Sequence, residues 1–398
     1  MTAETRPPLR LGFAGLGVGA GMFLRSIEHE PRVKVVAAAE VRPQALETFA
    51  RRYGGRTYDS VEALCADPDV DVVWIATPNY LHREHALLAA AHRKHIICTK
   101  PMALTVEECA EMCEAAERNG VALLCGQTYS MSSDIQAMAR VAASGRLGRV
   151  IAIAMMMSGD WLLKPRVPEE LDESLGGGVL YRHGPHLVDT ARVLAGTRLQ
   201  SVRGSVGRWM PERPCAGNFS AFLSFEDGTP ATIAYNGYGY FDTSELTWGI
   251  GNRQYSDAER IAVRRELRDG TSDGASGKEA TRFGAPGEAP PLDDPNDVNK
   301  VSPWFGVTVV SCERGDIRQS PHGIFVYDDD GRHEIEVKLE PIGLPDVREL
   351  DDYLTNGKPL THDGRWALAT LEACTAILRS SEERREIVLE HQGASSFA

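Results

Sequence analysis

One turn in this sequence has the residue types to cradle a diphosphate. Gly15-Leu16-Gly17-Val18-Gly19-Ala20 follows the apolar run 9–14 and opens an amphipathic stretch over 19–30. The order fits G-x-G-x-x-G/A. Gly15 permits a tight turn, Gly17 removes a side chain where a diphosphate must meet the backbone, and Ala20 lets helix and strand pack closely. Val18 stands where the helix begins, and N-terminal amides there would face the phosphates. Glu40 closes the next apolar run, 33–39. It lies about 20–25 residues beyond the turn, where an acid can grip ribose hydroxyls. Its carboxylate would repel a 2′-phosphate, which predicts NAD over NADP. Arg42 argues the other way, because a guanidinium could pair with that phosphate.

These residues need strand ends to hold them. The first 130 residues alternate strand and helix patterns. Strands are predicted over 9–14, 33–39, 72–75, 96–98 and 122–125, with helices over 19–30, 43–52, 80–92 and 106–119. Thr105 and Glu108 form an expected capping box, and Gly120 an expected helix stop. Such alternation makes a doubly wound parallel sheet, a Rossmann domain over 1–130. Beyond it, a helix over 134–144 and a strand over 150–157 lead to Gly176-Gly177-Gly178 and a helix ending near Leu194. Strands follow over 199–209, 219–225, 231–238, 323–327 and 334–337, and helices over 346–356 and 364–380. A run of strands predicts a mostly antiparallel sheet, so 131–398 reads as a second α/β domain. Residues 255–301 are polar and show little periodicity, which reads as a surface insertion or flap.

Composition narrows the class. The 398 residues carry a formal net charge of −13. That argues against nucleic acid or anionic membrane as partners, while leaving room for a small anionic substrate held by local cations. The eight cysteines, at 65, 98, 109, 113, 125, 215, 312 and 374, include no CxxC pair. They read as buried free thiols of a reducing compartment. Cys109 and Cys113 sit four apart on a helix, where core packing is expected and no metal. No apolar run reaches membrane-spanning length, and 1–10 lacks a hydrophobic signal region. A cytoplasmic protein is expected.

Three further segments carry a resemblance. Ile75-Ala76-Thr77-Pro78-Asn79-Tyr80-Leu81-His82 resembles a strand-end segment of the glucose–fructose oxidoreductase/inositol dehydrogenase (Gfo/Idh/MocA) superfamily. Thr99-Lys100-Pro101 is similar to its Glu-Lys-Pro motif, with Thr in place of Glu. The glycine run followed by Gly184-Pro185-His186-Leu187-Val188-Asp189 resembles its G-x-H-x-x-D helix. The resemblance implies an NAD-dependent dehydrogenase in which Thr77, Pro78, Asn79 and His82 belong to the cofactor loops. It implies that Lys100 and His186 face the nicotinamide, that 131–398 is an open-sheet domain for substrate and oligomerisation, and that the flat face of its sheet forms a homo-oligomer interface, dimer or tetramer. Inositol-dehydrogenase-like members carry Asp four residues before the histidine; here that position is Arg182. Arginine cannot act as an acid–base partner near neutral pH, but it can clamp a carboxylate, and positions 182 and 186 share a helix face. Within the superfamily, Arg182-His183-Gly184-Pro185-His186 and Pro321-His322-Gly323 are similar to bacterial phthalate 4,5-cis-dihydrodiol dehydrogenases.

The expected reaction is therefore oxidation of a carboxylated cis-dihydrodiol to a catechol. Lys100 would bind the reacting hydroxyl and steady developing negative charge. His186 would be the general base, since its ordinary pKa lies near neutrality. Arg182 would hold a substrate carboxylate. Lys164, Arg166 and His183 are further candidates for anion contacts, and Tyr181 is an alternative proton donor. Each has a plainer reading: Lys100 as an exposed lysine, His186 as a structural histidine tied to Asp189, Arg182 as half of a structural ion pair. Asp189 and His322 read as structural, and Trp161 and Trp209 as core rather than ring-binding surface. Two other functions stay open: a sugar or inositol dehydrogenase on the same scaffold, and a non-catalytic NAD-sensing regulator.

Overall fold

The protein is described by a computed structural model over residues 7–126, 129–251, 255–272, 274–285, 306–338 and 340–393. It divides into two compact units, each discontinuous in sequence. Unit 1 takes Met1–Gln127, Glu279–Asp293 and Pro341–Ala367; unit 2 takes Thr128–Lys278, Asp294–Glu340 and Leu368–Ala398.

In unit 1, β1 (Leu9–Ala14), β2 (Val33–Ala39), β3 (Arg56–Tyr58), β4 (Val72–Ile75), β5 (His95–Thr99) and β6 (Leu123–Gly126) form a parallel sheet in the order β3-β2-β1-β4-β5-β6. The strands read as near-continuous apolar runs because helices bury both faces of such a sheet. The order reverses direction beside β1 and β4, the switch point where open α/β sheets bind ligands. The crossover helices are α1 (Val18–Ile27), α2 (Pro43–Tyr53), α3 (Val61–Ala66), α4 (His82–Ala91) and α5 (Val106–Asn119). The capping box before α5 forms with an offset. The Thr105 hydroxyl accepts the Glu108 N–H at 3.2 Å, but Glu108 reaches back to the Leu104 N–H rather than that of Thr105. Gly120 ends α5 at φ 65°. β3 and α3 were absent from the predicted elements, being too short to show a period. The predicted helix over 80–92 opens with a single 3₁₀ turn, Asn79–Leu81.

Unit 2 carries α6 (Ser133–Ala143), β7 (Val150–Ser158), α7 (Pro168–Leu171), α8 (Gly178–Ala195), β8 (Leu199–Gly207), β9 (Asn218–Phe225) and β10 (Pro230–Asn236). After them come α9 (Asp257–Arg268), α10 (Gly274–Ala280), β11 (Val307–Cys312), β12 (Gly315–Ser320), β13 (Gly323–Asp328), β14 (Gly331–Glu336) and β15 (Ile387–Val388). The sheet runs β14-β13-β12-β11-β7-β10-β9-β8-β15, antiparallel except where β7 meets β10. Sequence patterning missed β11 and β12. The helix α8, almost wholly buried, covers one face. The other face carries Phe222, Thr232, Ala154 and Val309 in one cross-strand row, with Phe222 and nearby Met156 exposed. The outermost β14 is exposed along its length and carries Arg332, His333, Glu334 and Glu336.

The insertion expected over 255–301 is helical in its first part: α9 and α10 occupy it, and Arg260 of α9 is buried. Residues 286–301 of that expectation lie outside the described residues. All eight cysteines are buried and none is in a disulfide, and burial pushes the Cys65 and Cys113 thiols up to about 12. Among the described residues no helix is long and apolar enough to cross a membrane, and no three His, Cys, Asp or Glu side chains gather to hold a metal.

Two later segments complete the core of unit 1. Phe283 from the insertion, and Val347 and Leu350 from the helix Leu344–Asn356, pack with the residues of β1, β4 and α1. At its centre the fully buried Trp74 stacks between Phe13 (5.4 Å) and Phe23 (4.7 Å). Its indole N–H is sealed from solvent with no hydrogen-bond partner among the described residues. Trp74→Ala should therefore cost about 3–5 kcal/mol. Trp74→Phe should cost far less, because it removes the orphan donor along with part of the ring. Urea unfolding of the two variants measures the difference.

Candidate functional site

The glycine turn sits at the C-terminal end of β1. Gly15 adopts φ 86°, and a Cβ there would lie 2.9 Å from the Thr77 methyl and 3.1 Å from the Ala76 carbonyl oxygen. The turn thus packs directly on the end of β4. Gly17 caps α1 without a side-chain bond. A Cβ on Gly17 would meet only the Ala76 carbonyl oxygen, at 4.0 Å, so the space beside it is open. The first turn of α1, starting at Val18, carries no acid, and Ala20 is fully buried against the sheet. An open approach at a helix N-terminus whose first turn carries no acid suits a diphosphate.

Glu40 follows β2 and clamps this turn. Its carboxylate accepts the Leu16 N–H at 2.8 Å, the Val41 N–H at 2.9 Å and the Arg42 N–H at 3.2 Å. The Arg42 guanidinium donates to it at 3.1 Å and to the Leu16 carbonyl at 2.6 Å. Burial works against ionisation, but these donors outweigh it and hold the Glu40 carboxyl below its usual range. Four donors fill the acceptor sites of a carboxylate. A ribose hydroxyl must therefore displace one of them, and Arg42 is the donor held by a side chain. Arg42 lies paired with Glu40, not offered outward.

The loops after β4 and β5 are tied together within unit 1. His82 is fully buried, with Nε2 2.9 Å from the Thr77 carbonyl oxygen and Nδ1 3.0 Å from that of Pro101. The Thr77 hydroxyl meets His85 Nδ1 at 3.0 Å. Asn79 is buried, Pro78 exposed. Lys100 is half-buried just after β5, its N–H donating to the Gly126 carbonyl at 3.2 Å, and the Lys100–Pro101 bond is cis. The structure brings Gly15, Gly17, Val18, Glu40, Thr77 and Lys100 to the same ends of adjacent parallel strands.

In unit 2 the glycine run before α8 is a packing requirement. A Cβ on Gly177 would fall 2.6–2.7 Å from backbone atoms of Glu170 and Asp172. α8 then carries Tyr181, Arg182, His183, His186 and Asp189. Pro185 within it removes the N–H that would reach the Tyr181 carbonyl. His186 is buried, and its Nδ1 accepts the Tyr129 backbone N–H at 3.2 Å. A nitrogen that accepts holds no proton, so the neutral ring carries its proton on Nε2. One turn on, Asp189 accepts the Ser130 hydroxyl. Both residues grip the 3₁₀ turn Tyr129–Met131.

His183 stacks on Tyr235 of β10 at 4.4 Å and meets the edge of Trp161 at 6.2 Å. The Arg166 guanidinium lies 4.2 Å over the Trp161 ring. It donates to the Trp161 carbonyl at 3.0 and 3.2 Å and to Glu170 at 3.3 Å. Lys278 donates to the same Glu170 oxygen at 3.0 Å. Lys164 pairs with Asp160 at 3.4 Å. Burial lowers the pKa of Arg166, Lys164, Lys278 and Arg182. Glu170 opposes the shift in Arg166, Lys278 and Arg182, while Arg166 adds to it in Lys164, Lys278 and Arg182. Burial also works against ionising Glu170, yet Arg166, Lys278 and Arg182 hold its carboxyl below the usual range. Unit 2 thus collects Arg166, Arg182, His183 and His186, and sets Lys164 on the neighbouring Asp160. Trp161 is buried beside them, whereas Trp209 is exposed.

Sequence reasoning missed Tyr235, Asp160, Glu170 and Arg213. Tyr235 carries only the alternating pattern of an inward strand residue, and burial pushes its phenol well above the ordinary value. Asp160 lies just after β7, Glu170 in the four-residue α7 and Arg213 between β8 and β9, all stretches too short or irregular to show a period.

Residues 9–127 match the model of an oxidoreductase family with an NAD-binding Rossmann fold, and 135–247 match the GFO/IDH/MocA C-terminal domain. The 1-carboxy-3-chloro-3,4-dihydroxycyclohexa-1,5-diene dehydrogenase of Comamonas testosteroni is 32% identical, over 94% of this chain and 95% of its own. A levoglucosan dehydrogenase of Pseudarthrobacter phenanthrenivorans is 34% identical over 48% of this chain and 50% of its own. A solved structure from Bordetella bronchiseptica RB50 superposes with a TM-score of 0.88 at 32% identity, covering 96% of this chain and 100% of that one.

The open space beside Gly17 gives a clean test of the cradle. Gly17→Val should leave the melting temperature within a few degrees of wild type and weaken NADH binding by about tenfold or more, since the branched side chain fills the diphosphate approach. NADH fluorescence titration alongside a thermal melt reads both.

Proposed function

The chain belongs to the Gfo/Idh/MocA family of NAD-binding oxidoreductases, and we propose that it oxidises a carboxylated aromatic cis-dihydrodiol, such as a phthalate 4,5-cis-dihydrodiol, to the corresponding catechol. The observation that carries this reading is the set of buried cations in unit 2, where Arg166, Lys278 and Arg182 all act on the carboxylate of Glu170. A neutral polyol can accept hydrogen bonds from such a cluster but brings no charge to it, whereas a carboxylate does both. The carboxylated diene named for the Comamonas relative supports the same class.

Bound NAD supplies the hydride acceptor. The residues of the cradle that would hold it are Gly15, Gly17, Val18, Ala20 and Glu40, with the loops carrying Thr77, Asn79 and Lys100. Oxidation removes a hydride from the carbinol carbon and a proton from its hydroxyl; loss of the ring proton in tautomerisation then restores aromaticity. Lys100 binds the reacting oxygen, His186 handles its proton, and Arg182 holds the carboxylate, with Arg166 and Lys164 adding positive potential. Tyr181, also on α8, is a secondary proton donor.

The Tyr129 amide favours a second assignment of the proton. A base acting through His186 Nε2 must first take the Nδ1–H tautomer, which would set that N–H against the Tyr129 N–H. With Nδ1 accepting, His186 instead donates Nε2–H to the substrate oxygen, and a neutral Lys100 takes the proton. The free thiols suit a cytoplasmic setting. The open sheet face bearing Phe222 and Met156 is proposed to bury itself against a second copy of the chain.

Lys100→Ala and His186→Ala should each cut turnover by ~10²–10⁴ while NADH still binds; near-normal rates would remove that residue from the scheme. His186→Gln, which keeps an amide donor in reach, should retain more activity than His186→Ala if the ring donates, and no more if it is the base. For Arg182→Leu the loss should fall on carboxylated dihydrodiols. An equal loss on a neutral cis-diol would reject the clamp. Absorbance of NADH formed with each substrate decides all of these.

A further inference from the structure

Over 208–214, just after β8, the chain is exposed apart from the half-buried Met210 and one side chain that turns inward. Arg213 is only 7% exposed, while its neighbours Glu212 and Pro214 are exposed. Its Nε is sealed from solvent, and among the described residues the guanidinium makes no hydrogen bond or ion pair. Arginine is hard to neutralise, so the group stays charged where water cannot fully reach it. Such a charge is normally paired.

The guanidinium lines a cleft of about 760 Å³ together with Arg166, Arg208, Ser174 and Ser272. The acids there are engaged or turned to solvent. Glu173 takes two hydrogen bonds from Arg208 and one from the Ala216 N–H. Asp172 is exposed and accepts from the Ser174 N–H and hydroxyl. Glu170, behind Arg166, is shared with Lys278. Burial lowers the Arg213 pKa and the charge of Arg166 lowers it further, with Cys215 and Glu170 opposing the shift. Two guanidinium groups lining one cleft repel one another, and an anion between them would relieve that repulsion.

We infer that Arg213, backed by Arg166, is an anion subsite of this cleft that takes a carboxylate-type oxyanion. Resting on the reading above, it selects ring acids that carry a second acidic group. Planar guanidinium matches carboxylate through two parallel hydrogen bonds, which gives direction as well as charge.

The test uses the NADH-loaded protein, with benzoate, benzene-1,2-dicarboxylate and inorganic phosphate as probes in calorimetric titration. Wild type should bind the dicarboxylate about tenfold more tightly than benzoate, the scale of one charge-assisted contact. Arg213→Leu should abolish that preference and leave benzoate binding unchanged. If the preference is absent but phosphate binds wild type and not the variant, the subsite stands and its ligand is a free anion. If neither dicarboxylate nor phosphate binding depends on Arg213, the inference is overturned. Melting adds a second readout. Arg213→Leu removes an unpaired buried charge, so it should melt no lower than wild type without anion, and phosphate should raise the melting temperature of wild type alone. A variant that melts well below wild type, with no phosphate effect on wild type, marks Arg213 as structural and overturns the subsite. Failure of the dihydrodiol reading is separate: no turnover of any carboxylated cis-dihydrodiol, whatever the phosphate titration gives.

Discussion

Glu170 accepts from Arg166, Lys278 and the Val167 N–H, and Arg182 acts on it as well. Burial raises the cost of holding these charges together. Arg166 keeps part of its solvation through the Trp161 carbonyl and the Trp161 face. The cluster is also useful. It stores positive potential in a chain whose overall charge is −13. A distant negative field is screened by salt within about 8–10 Å, whereas nearby buried charges are not.

Unit 1 solves a different problem with the same economy. Its ligand-facing groups are mostly backbone, at the ends of β1, β4 and β5. Side chains serve to hold the loops. Glu40 gathers three amides and a guanidinium about the glycine turn. His82 touches the carbonyls of two successive strand-end loops. Both residues look like ligand contacts in the sequence, and both are first of all fasteners of the turn and loops of the candidate cradle.

The elements whose chemistry is local were the legible ones. The buried parallel strands, the G-x-G turn and the helix bearing Arg182 and His186 each announce themselves through a run, a spacing or a period. The Rossmann order and the mostly antiparallel second sheet followed from such signals. What stayed hidden depends on contacts between segments far apart in the chain. Nothing in the amphipathic pattern of Leu344–Asn356 says which core its Val347 and Leu350 will join. Arg213 looks like any loop arginine until the fold seals it. Glu40 and Arg42 could each be read as a cofactor contact because their mutual pairing is a matter of rotamers, not of spacing. The tautomer of His186 was equally out of reach, since the Tyr129 amide lies 57 residues away.

The outer strand β14 has a consequence for how copies of this chain can associate. Every residue of it is exposed, and Arg332, Glu334 and Glu336 project from an unpaired border of backbone donors and acceptors. Extending the sheet by adding a strand there would strip water from those charges, which discourages ribbon-like growth and fibril formation. At the opposite border the two-residue β15 offers too little length to template another strand. Among the described residues, both rims of this sheet thus discourage association by strand addition.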